Sequence, residues 1–142
     1  MKVRFYKRYE SGKIKKCLGN EHFLELSNGE KIKVATDKEI DIVYGQWWNV
    51  TDIGTGVAII GWHEHTMFIR PFEHNNHTEK EALLLAKERL DMAIKIFNKT
   101  YKEFTKNFKK ITQQEIKRLE GKDEIKWRIY NIYWKVKLFI KW

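Results

Sequence analysis

The sequence predicts an α+β protein in which an N-terminal antiparallel β-sheet is followed by one long amphipathic α-helix. Residues 1–72 contain short alternating runs of apolar and polar residues separated by glycine-containing turns, a pattern typical of antiparallel strands. Residues 78–111 instead repeat apolar side chains every three or four positions without glycine or proline, which is the period of an α-helix. We therefore expect one domain over 1–142, with a β half over 1–72 and a helical half over 78–142.

Five or six strands are expected in the β half. Residues 3–9 and 13–18 flank Ser11-Gly12 and predict a first hairpin. A further strand is expected at 40–44, where apolar residues alternate up to a glycine. Residues 47–62 predict a strand, a glycine-rich turn and another strand, and 67–70 predict a last short strand that ends at the only proline.

A second hairpin is expected over 22–35, and its loop length follows from the faces of the two strands. A two-residue Asn-Gly loop would place the apolar residues of the two strands on opposite faces of the sheet. A three-residue loop pairs Leu24 with Ile32 and keeps the apolar residues on one face. We therefore predict a three-residue loop that ends at Gly29 in the left-handed conformation.

The helical half is expected to begin at a capping box, in which the Thr78 hydroxyl and the Glu81 carboxylate bind each other's backbone N–H groups. The helix predicted over 78–111 has about 33 residues, or roughly 50 Å. A second capping box at 112–115 predicts a short helix that ends at Gly121. The pattern of 132–142 fits a C-terminal strand and also a helix, and its β-branched and aromatic residues favour the strand.

Positive charge is concentrated toward the ends of this chain. The formal net charge of +9 combines a net of +6 over 1–19, −6 over 20–91, +5 over 92–111 and +4 over 112–142, counted from the sequence. Such segregation favours anionic partners, above all nucleic acid or an anionic nucleotide. A solvated, lysine-rich surface without a ligand explains the same charge.

Two basic regions are candidates for binding nucleic acid or another anion. In the N-terminal region, basic residues alternate with aromatic ones, which suits stacking on bases together with neutralisation of phosphates; an edge hairpin protected by lysines would look the same. In the long helix, lysines four and three positions apart would form one row on the exposed face, although the helix dipole alone also favours lysines in its C-terminal half. The candidates are Arg4, Lys7, Arg8, Lys13, Lys15, Lys16, Lys95, Lys99, Lys102, Lys106 and Lys109.

Two further clusters consist of aromatic and metal-ligating residues. Tryptophans beside a glycine-rich turn form either a stacking pocket or part of the sheet core; they are Trp47, Trp48 and Trp62. Four of the five histidines fall within 15 residues at spacings that can ligate zinc, although a solvated loop explains them equally well. These weak metal candidates are His63, His65, His74 and His77.

The sequence contains no recognisable catalytic or cofactor-binding motif. There is no phosphate-binding glycine loop and no serine or cysteine nucleophile pattern, so we expect a protein that is not an enzyme and needs no cofactor. Cys17 is the only cysteine, which excludes an intrachain disulfide and favours a reducing compartment. No 18-residue apolar run is present. We therefore expect a cytoplasmic protein without a membrane partner.

One stretch resembles small phage and plasmid proteins in which a strand, a turn and a second strand lead to a threonine-capped helix. The resemblance rests on residues 48–52, Thr55-Gly56, Ile59 and 78–82. The stretch is also similar to the arm-type, AP2-like domain of phage integrases, whose three-stranded sheet contacts DNA. The resemblance implies an origin in a mobile element.

Three functions are compatible with these patterns. The first is a non-catalytic protein that binds nucleic acid or another anionic ligand. The second is a phage or plasmid protein that inhibits a host defence complex, by binding the host protein or by sequestering a nucleotide signal; if phage-encoded, it would act in the host cytoplasm. The third is a metal-dependent enzyme that uses the histidine cluster. A homodimer is expected through the long helix, because a 50 Å helix would extend beyond the sheet.

Overall fold

The computed structural model confirms the α+β class; it describes residues 1–43, 45–62, 64–68, 78–108 and 110–117. The chain divides into two compact units, Met1–Lys110 and Ile111–Trp142. The strands and helices of the first unit are β1 Lys2–Arg8, β2 Ile14–Glu25, β3 Lys31–Asp41, β4 Gly45–Asp52, β5 Ala58–Ile60, α1 Glu79–Phe97 and α2 Tyr101–Phe104.

The five strands form one sheet whose spatial order equals their sequence order, and each strand runs antiparallel to its neighbour. Strand β2 belongs to two hairpins, because Asn20 lies opposite Lys2 of β1 on one side and opposite Thr36 of β3 on the other. The adjacent Gly19 has no room for a side chain, since a Cβ there would lie 2.3 Å from the Thr36 carbonyl oxygen. Glycine therefore permits the close approach of β2 to β3.

The sheet curls until its two edge strands are joined through residues 64–68. The Arg8 N–H, at the end of β1, donates to the Gly56 carbonyl at 2.8 Å. The His65 N–H donates to the Arg8 carbonyl at 2.8 Å, and the His65 carbonyl accepts from the N–H of Ala58 in β5, also at 2.8 Å. These bonds satisfy backbone groups that would otherwise lie unpaired at the sheet edges.

The predicted loop of the second hairpin is confirmed. Leu24 pairs with Ile32, and the Leu26 N–H donates to the Glu30 carbonyl at 2.8 Å across the three-residue loop. Gly29 has a φ of +89°, which is the left-handed conformation that glycine adopts without steric cost. The apolar side chains on this face of the hairpin are consequently buried together.

The separate strand predicted at 40–44 is wrong, because β3 continues without a break to Asp41. Ile40 and Ile42 are exposed, at 76% and 104% of their reference area, so their alternation does not mark a buried face. The chain turns at Ile42 and Val43, and the Val43 N–H donates to the Asp41 carboxylate at 2.7 Å. Near the strand predicted at 67–70, Thr66 forms an isolated bridge with Ala58, and residues 69–70 lie outside the described residues.

Helix α1 covers one face of the sheet. Its Thr78 hydroxyl accepts from the Glu81 N–H at 3.2 Å, as expected for the N-cap. The buried side of the helix consists of three alanines and Leu90, and small residues allow a helix to approach a sheet closely. This side packs against the apolar face formed by Leu24, Leu26, Ile32, Val34, Val50, Ile59 and Ile60.

Polar contacts fix both ends of α1 to the sheet. At its start, the Glu79 carboxylate accepts from the Thr36 hydroxyl at 2.9 Å and contacts the His22 ring. Burial alone would raise the pKa of Glu79, but its hydrogen bonds to Thr36 and His22 outweigh burial and lower that pKa. Toward the other end, the Asp91 carboxylate accepts from the N–H and the hydroxyl of Ser27 at 2.9 and 3.0 Å.

The prediction of one continuous helix over 78–111 is wrong, because α1 ends at Phe97. Asn98 adopts a left-handed conformation with φ of 50° and ψ of 45°, which is a common way to end a helix. Thr100 then caps α2 in a complete capping box with Glu103. The apolar period of the sequence favours one continuous helix, whereas this third threonine–glutamate capping box favours a new helix start at Thr100. In the structure the capping box determines where the helix begins.

The break turns the aromatic residues of the predicted overhang back toward the rest of the unit. Tyr101 is buried in the hydrophobic core. The ring of Phe104 stacks on Phe68 with centroids 6.0 Å apart and on Phe97 at 6.1 Å, and Phe108 meets Phe104 edge to face at 6.3 Å. The long overhanging helix, which was the reason for predicting a homodimer, does not form.

The described part of the second unit contains a helical turn over 113–117. The Thr112 hydroxyl accepts from the Glu115 N–H at 3.2 Å, as the capping pattern predicts. Gly121 and the strand or helix predicted over 132–142 lie outside the described residues. Within the described ranges, no helix has the length and apolar character needed to cross a membrane.

The helix break can be tested with Asn98→Ala. In the left-handed conformation, alanine has a steric cost that asparagine tolerates better, so we expect a loss of about 1 kcal/mol in the free energy of unfolding. In a continuous helix the same change would stabilise by several tenths of a kcal/mol, because alanine is the better helix former. Urea unfolding shows whether the substitution lowers or raises the free energy of unfolding. A variant more stable than wild type would contradict the helix break.

Candidate anion-binding groove

A groove of about 680 Å³ lies where β3 and the β4–β5 turn face α2. The helix break places α2 there, because Tyr101 enters the core and the residues after it pass beside the sheet. The groove is lined by Glu30, Lys31, Ile32, Lys33, Asp52, Ile53, Gly54, Thr55, Tyr101, Lys102, Thr105, Lys106 and Lys110. Five of these are lysines.

The two carboxylates of the groove already have hydrogen-bond donors within the fold. Glu30 accepts from the backbone N–H groups of Tyr101 and Lys102 at 2.6 and 3.3 Å, so it occupies the N-terminus of α2. Burial opposes ionisation of Glu30, but these donors and the Asn28 amide outweigh it and lower the pKa. Asp52 accepts from the N–H and hydroxyl of Thr55 at 3.1 and 2.7 Å.

All five groove lysines are exposed. Four of them form no ion pair among the residues that the structure describes: Lys31, Lys102, Lys106 and Lys110. The ammonium of Lys33 is engaged elsewhere. It lies 3.8 Å from the Glu21 carboxylate and 5.6 Å from the centroid of the Phe23 ring. The groove therefore has a cationic rim whose charge the neighbouring carboxylates do not neutralise by direct contact.

The predicted row of lysines on one helix face does not exist, because the chain breaks within it. Lys95 is in the last turn of α1 and Lys99 is in the connection to α2. Lys102 and Lys106 reach the groove, whereas Lys109 lies outside the described residues. The structure thus brings two of the five predicted lysines together, and it adds lysines of β3 and Lys110.

The N-terminal basic residues divide into buried and exposed groups. Lys7 and Arg8 are only 3% and 7% exposed, so they do not contribute to a basic surface. The Arg8 Nε–H donates to the Thr55 carbonyl at 3.3 Å. The remaining predicted residues of this region are exposed: Arg4, Lys13, Lys15 and Lys16. They lie on the β1–β2 hairpin, and none of them lines the groove.

Lys7 is instead the centre of a buried polar cluster. Its ammonium lies 2.6 Å from the Asp37 carboxylate, 2.9 Å from Glu64 and 3.7 Å from Glu39. The amide of Asn49 donates to Glu39 at 2.7 Å. One cation thus faces three carboxylates, and the contacts connect β1, β3, β4 and the segment after β5.

The pKa values in this cluster follow from burial and from the charges around Lys7. Burial lowers the pKa of Lys7, but the Glu64 and Asp37 carboxylates outweigh it and hold that pKa above its ordinary value. Burial raises the pKa of Asp37 despite the neighbouring ammonium. Burial and the charge of Glu64 raise the pKa of Glu39. For Glu64, attraction to Lys7 exceeds the effect of burial and lowers the pKa.

The three candidate tryptophans do not form one stacking pocket. Trp47 is only 2% exposed, and its indole N–H donates to the Asn49 side chain at 3.1 Å. Trp62 lies beside it, with ring centroids 5.9 Å apart. Trp48 points to the other face of β4 and packs against the core under α1. Trp47 and Trp48 are therefore mainly part of the packing of the sheet.

Of the four candidate histidines, His65 alone is among the described residues. Its ring packs edge to face on Phe108, with centroids 6.0 Å apart. His63, His74 and His77 lie outside the described residues. Among the residues that are described, no group of three or more histidine, cysteine or acidic side chains could hold a metal ion.

Sequence reasoning missed the groove because its walls come from three distant stretches of the chain. Lys31 and Lys110 carried no signal beyond their charge. The Thr100–Glu103 capping box was a usable signal, since it would have ended the first helix and redirected the following lysines.

Comparison with family models, with characterised proteins and with solved structures found no significant match for this chain. Any functional assignment therefore rests on the geometry described above, and the resemblance to the integrase arm domain stays a prediction.

Removal of the buried ammonium by Lys7→Met should destabilise the protein strongly. The substitution leaves three carboxylates without their cation, and breaking a buried ion pair from one side costs about 3–5 kcal/mol. Lys13→Met is the matched control, because Lys13 is exposed and such changes usually cost less than about 0.5 kcal/mol. Equal unfolding free energies for both variants would show that the cluster adds little stability.

The substitution Glu39→Gln should stabilise the protein near pH 7, by about 1 kcal/mol or less because Glu39 is partly exposed. Because folding raises the pKa of Glu39, ionisation of this side chain opposes folding. The protonated side chain contributes stability at low pH, and this contribution is lost as the pH rises through the folded pKa. Glutamine mimics the protonated side chain. The difference between variant and wild type should shrink as the pH falls through the folded pKa and vanish below the ordinary pKa of glutamate, where both states are protonated. Urea unfolding between about pH 3.5 and 7 measures this difference. A gain independent of pH would contradict this explanation.

Proposed function

We propose that this protein is a non-catalytic binder of nucleic acid and that the lysine groove is its principal contact site. The observation that carries the proposal is the set of four exposed lysines around an open groove whose carboxylates already accept hydrogen bonds from the fold. Lysine ammonium groups neutralise phosphates as compact point charges. The other phosphate-bearing ligands that the charge pattern favours would use the same groups.

The exposed basic residues of the β1–β2 hairpin are secondary phosphate contacts in this proposal. Arg4, Lys13, Lys15 and Lys16 lie outside the groove, and Lys15 and Lys16, as neighbours in β2, point to opposite faces of the sheet. Phosphate contacts increase affinity without reading sequence. We therefore propose binding with little sequence preference and with strong dependence on salt.

The proposal predicts a specific loss of affinity in Lys102→Ala/Lys106→Ala. Removal of two phosphate contacts should weaken binding to a labelled oligonucleotide at least tenfold at low salt. It should also reduce the slope of log K against log salt by about 1.4–1.8, since each contact contributes about 0.7 on single strands and 0.9 on duplex DNA. Fluorescence anisotropy over a salt series measures both quantities.

The matched control is Lys38→Ala/Lys80→Ala, which removes the same charge from two exposed lysines outside the groove. It should change the salt slope by much less than the groove variant. Equal effects of the two double variants would mean that only net charge matters. Loss of all wild-type binding at physiological salt would overturn the proposal.

A further inference from the structure

Helix α1 exposes large apolar side chains on the side that faces away from the sheet. Its buried side consists of three alanines and Leu90. At 3.6 residues per turn, Leu84 points almost directly away from that side. Leu84, Met92 and Ile96 are 58%, 58% and 68% exposed, although the outer side of a helix that covers a sheet is normally polar.

The three apolar residues are not scattered over the helix. They belong to one continuous row of side chains four positions apart, formed by Leu84, Glu88, Met92 and Ile96. Single exposed apolar residues are common on soluble proteins, whereas a contiguous set marks an interaction surface. Because the sheet lies on the other side of α1, another molecule must cover this row if it is to be buried.

The charges beside the row indicate which molecule would fit. Exposed acidic residues, Glu81 and Glu88, precede Met92, and exposed basic residues, Lys95 and Lys99, follow it. A second α1 in antiparallel orientation would bring the acidic half of each helix next to the basic half of the other. A parallel second helix would bring like charges together. The opposed helix dipoles also favour the antiparallel arrangement.

We propose that two copies of this protein form a homodimer through the outer side of α1, with the two helices antiparallel about a two-fold axis. Such a contact is isologous, so each copy contributes the same residues. With the axis at the level of position 90, Leu84 of one copy lies opposite Ile96 of the other. Glu88 then lies within about one helical turn of Lys95 of the second copy.

This dimer is independent of the proposed nucleic-acid binding, since no residue of the row lines the groove. It also differs from the dimer expected for a continuous helix over 78–111, because the row lies entirely within α1. A helix of 19 residues is about 28 Å long, so one of its faces offers less than the area of about 800 Å² that a standard interface buries per partner. We therefore expect a weak dimer whose population depends on protein concentration.

Sedimentation equilibrium over a concentration series tests the assembly. The weight-average mass of wild type should rise from 17.2 kDa toward twice that value as the concentration increases. Leu84→Gln/Ile96→Gln should weaken association at least tenfold, because glutamine is nearly as good a helix former as leucine but removes the apolar contact. Wild type that stays monomeric up to about 1 mM would overturn the inference.

The matched control is Ile40→Gln/Ile42→Gln, which makes the same change at two aliphatic residues that are 76% and 104% exposed. These residues lie at the end of β3 and in the turn after it. The control should leave association unchanged. If it weakens the dimer as strongly as the α1 variant, the contact does not depend on α1 and the inference is wrong.

Exchange of two charges tests the antiparallel arrangement. Glu88→Lys and Lys95→Glu should each weaken association about fivefold, because each places like charges across the contact twice. Glu88→Lys/Lys95→Glu restores opposite charges between the copies and should recover most of the affinity. The two positions are seven residues apart, too far for an ion pair within one helix. A double variant weaker than both single variants would overturn the antiparallel arrangement.

Cysteine cross-linking in a Cys17→Ser background tests the register directly. Under mild oxidation Leu84→Cys/Ile96→Cys should form a cross-linked dimer. Leu84→Cys alone should not, since the two copies of position 84 would lie about 18 Å apart along the helix axes, which is too far for a disulfide. Cross-linking of the single variant as efficient as that of the double variant would indicate parallel helices and overturn the inference.

Discussion

The curled sheet depends most directly on the ion pairs that the Lys7 ammonium forms with Asp37 and Glu64. The ammonium is contributed by β1, and its partners Asp37 and Glu64 lie on β3 and on the segment after β5. A buried ion pair often adds little net stability, because desolvation offsets much of the attraction. The Lys7 ion pairs instead restrict how the sheet can curl, because a different curl would separate the ammonium from carboxylates that are themselves buried. The backbone bonds of Arg8 to Gly56 and His65 lie next to Lys7 in the chain and close the same edge.

The groove depends on a different contact, between Glu30 and α2. A helix N-terminus presents backbone N–H groups without intrahelical partners, and Glu30 accepts from two of them. The β2–β3 loop thereby fixes where the short helix begins. The same carboxylate that positions the helix is unavailable to the lysines around it, so the contact that builds the groove also leaves its rim cationic.

The parts of this fold that could be predicted from sequence are those determined by residues close together in the chain. The loop at Gly29 followed from the parity of two adjacent strands, and the start of α1 followed from a local cap. The end of α1 could not be obtained from the apolar period alone, because that period continues through Asn98 while the Thr100 capping box favours a new helix.

The candidate site was less predictable for the same reason. Lys7 reads as one more cation of a basic segment, and its burial depends on Glu64, 57 residues away. The groove combines residues around positions 31, 53 and 104, so its cluster of lysines exists only in the folded chain. Charge segregation favours an anionic partner, and of the described basic residues that it singled out, only Lys102 and Lys106 line the groove.

The order of the strands has a consequence for the kinetics of folding. Every pair among strands β1 to β5 joins neighbours in sequence, so this sheet can assemble through short loops whose closure costs little entropy. The contacts that close the curl join residues 47 and 57 positions apart, and these carry a larger entropic cost before they contribute any energy. A chain built in this way can form its meander and cover it with α1 before the ion cluster around Lys7 is complete.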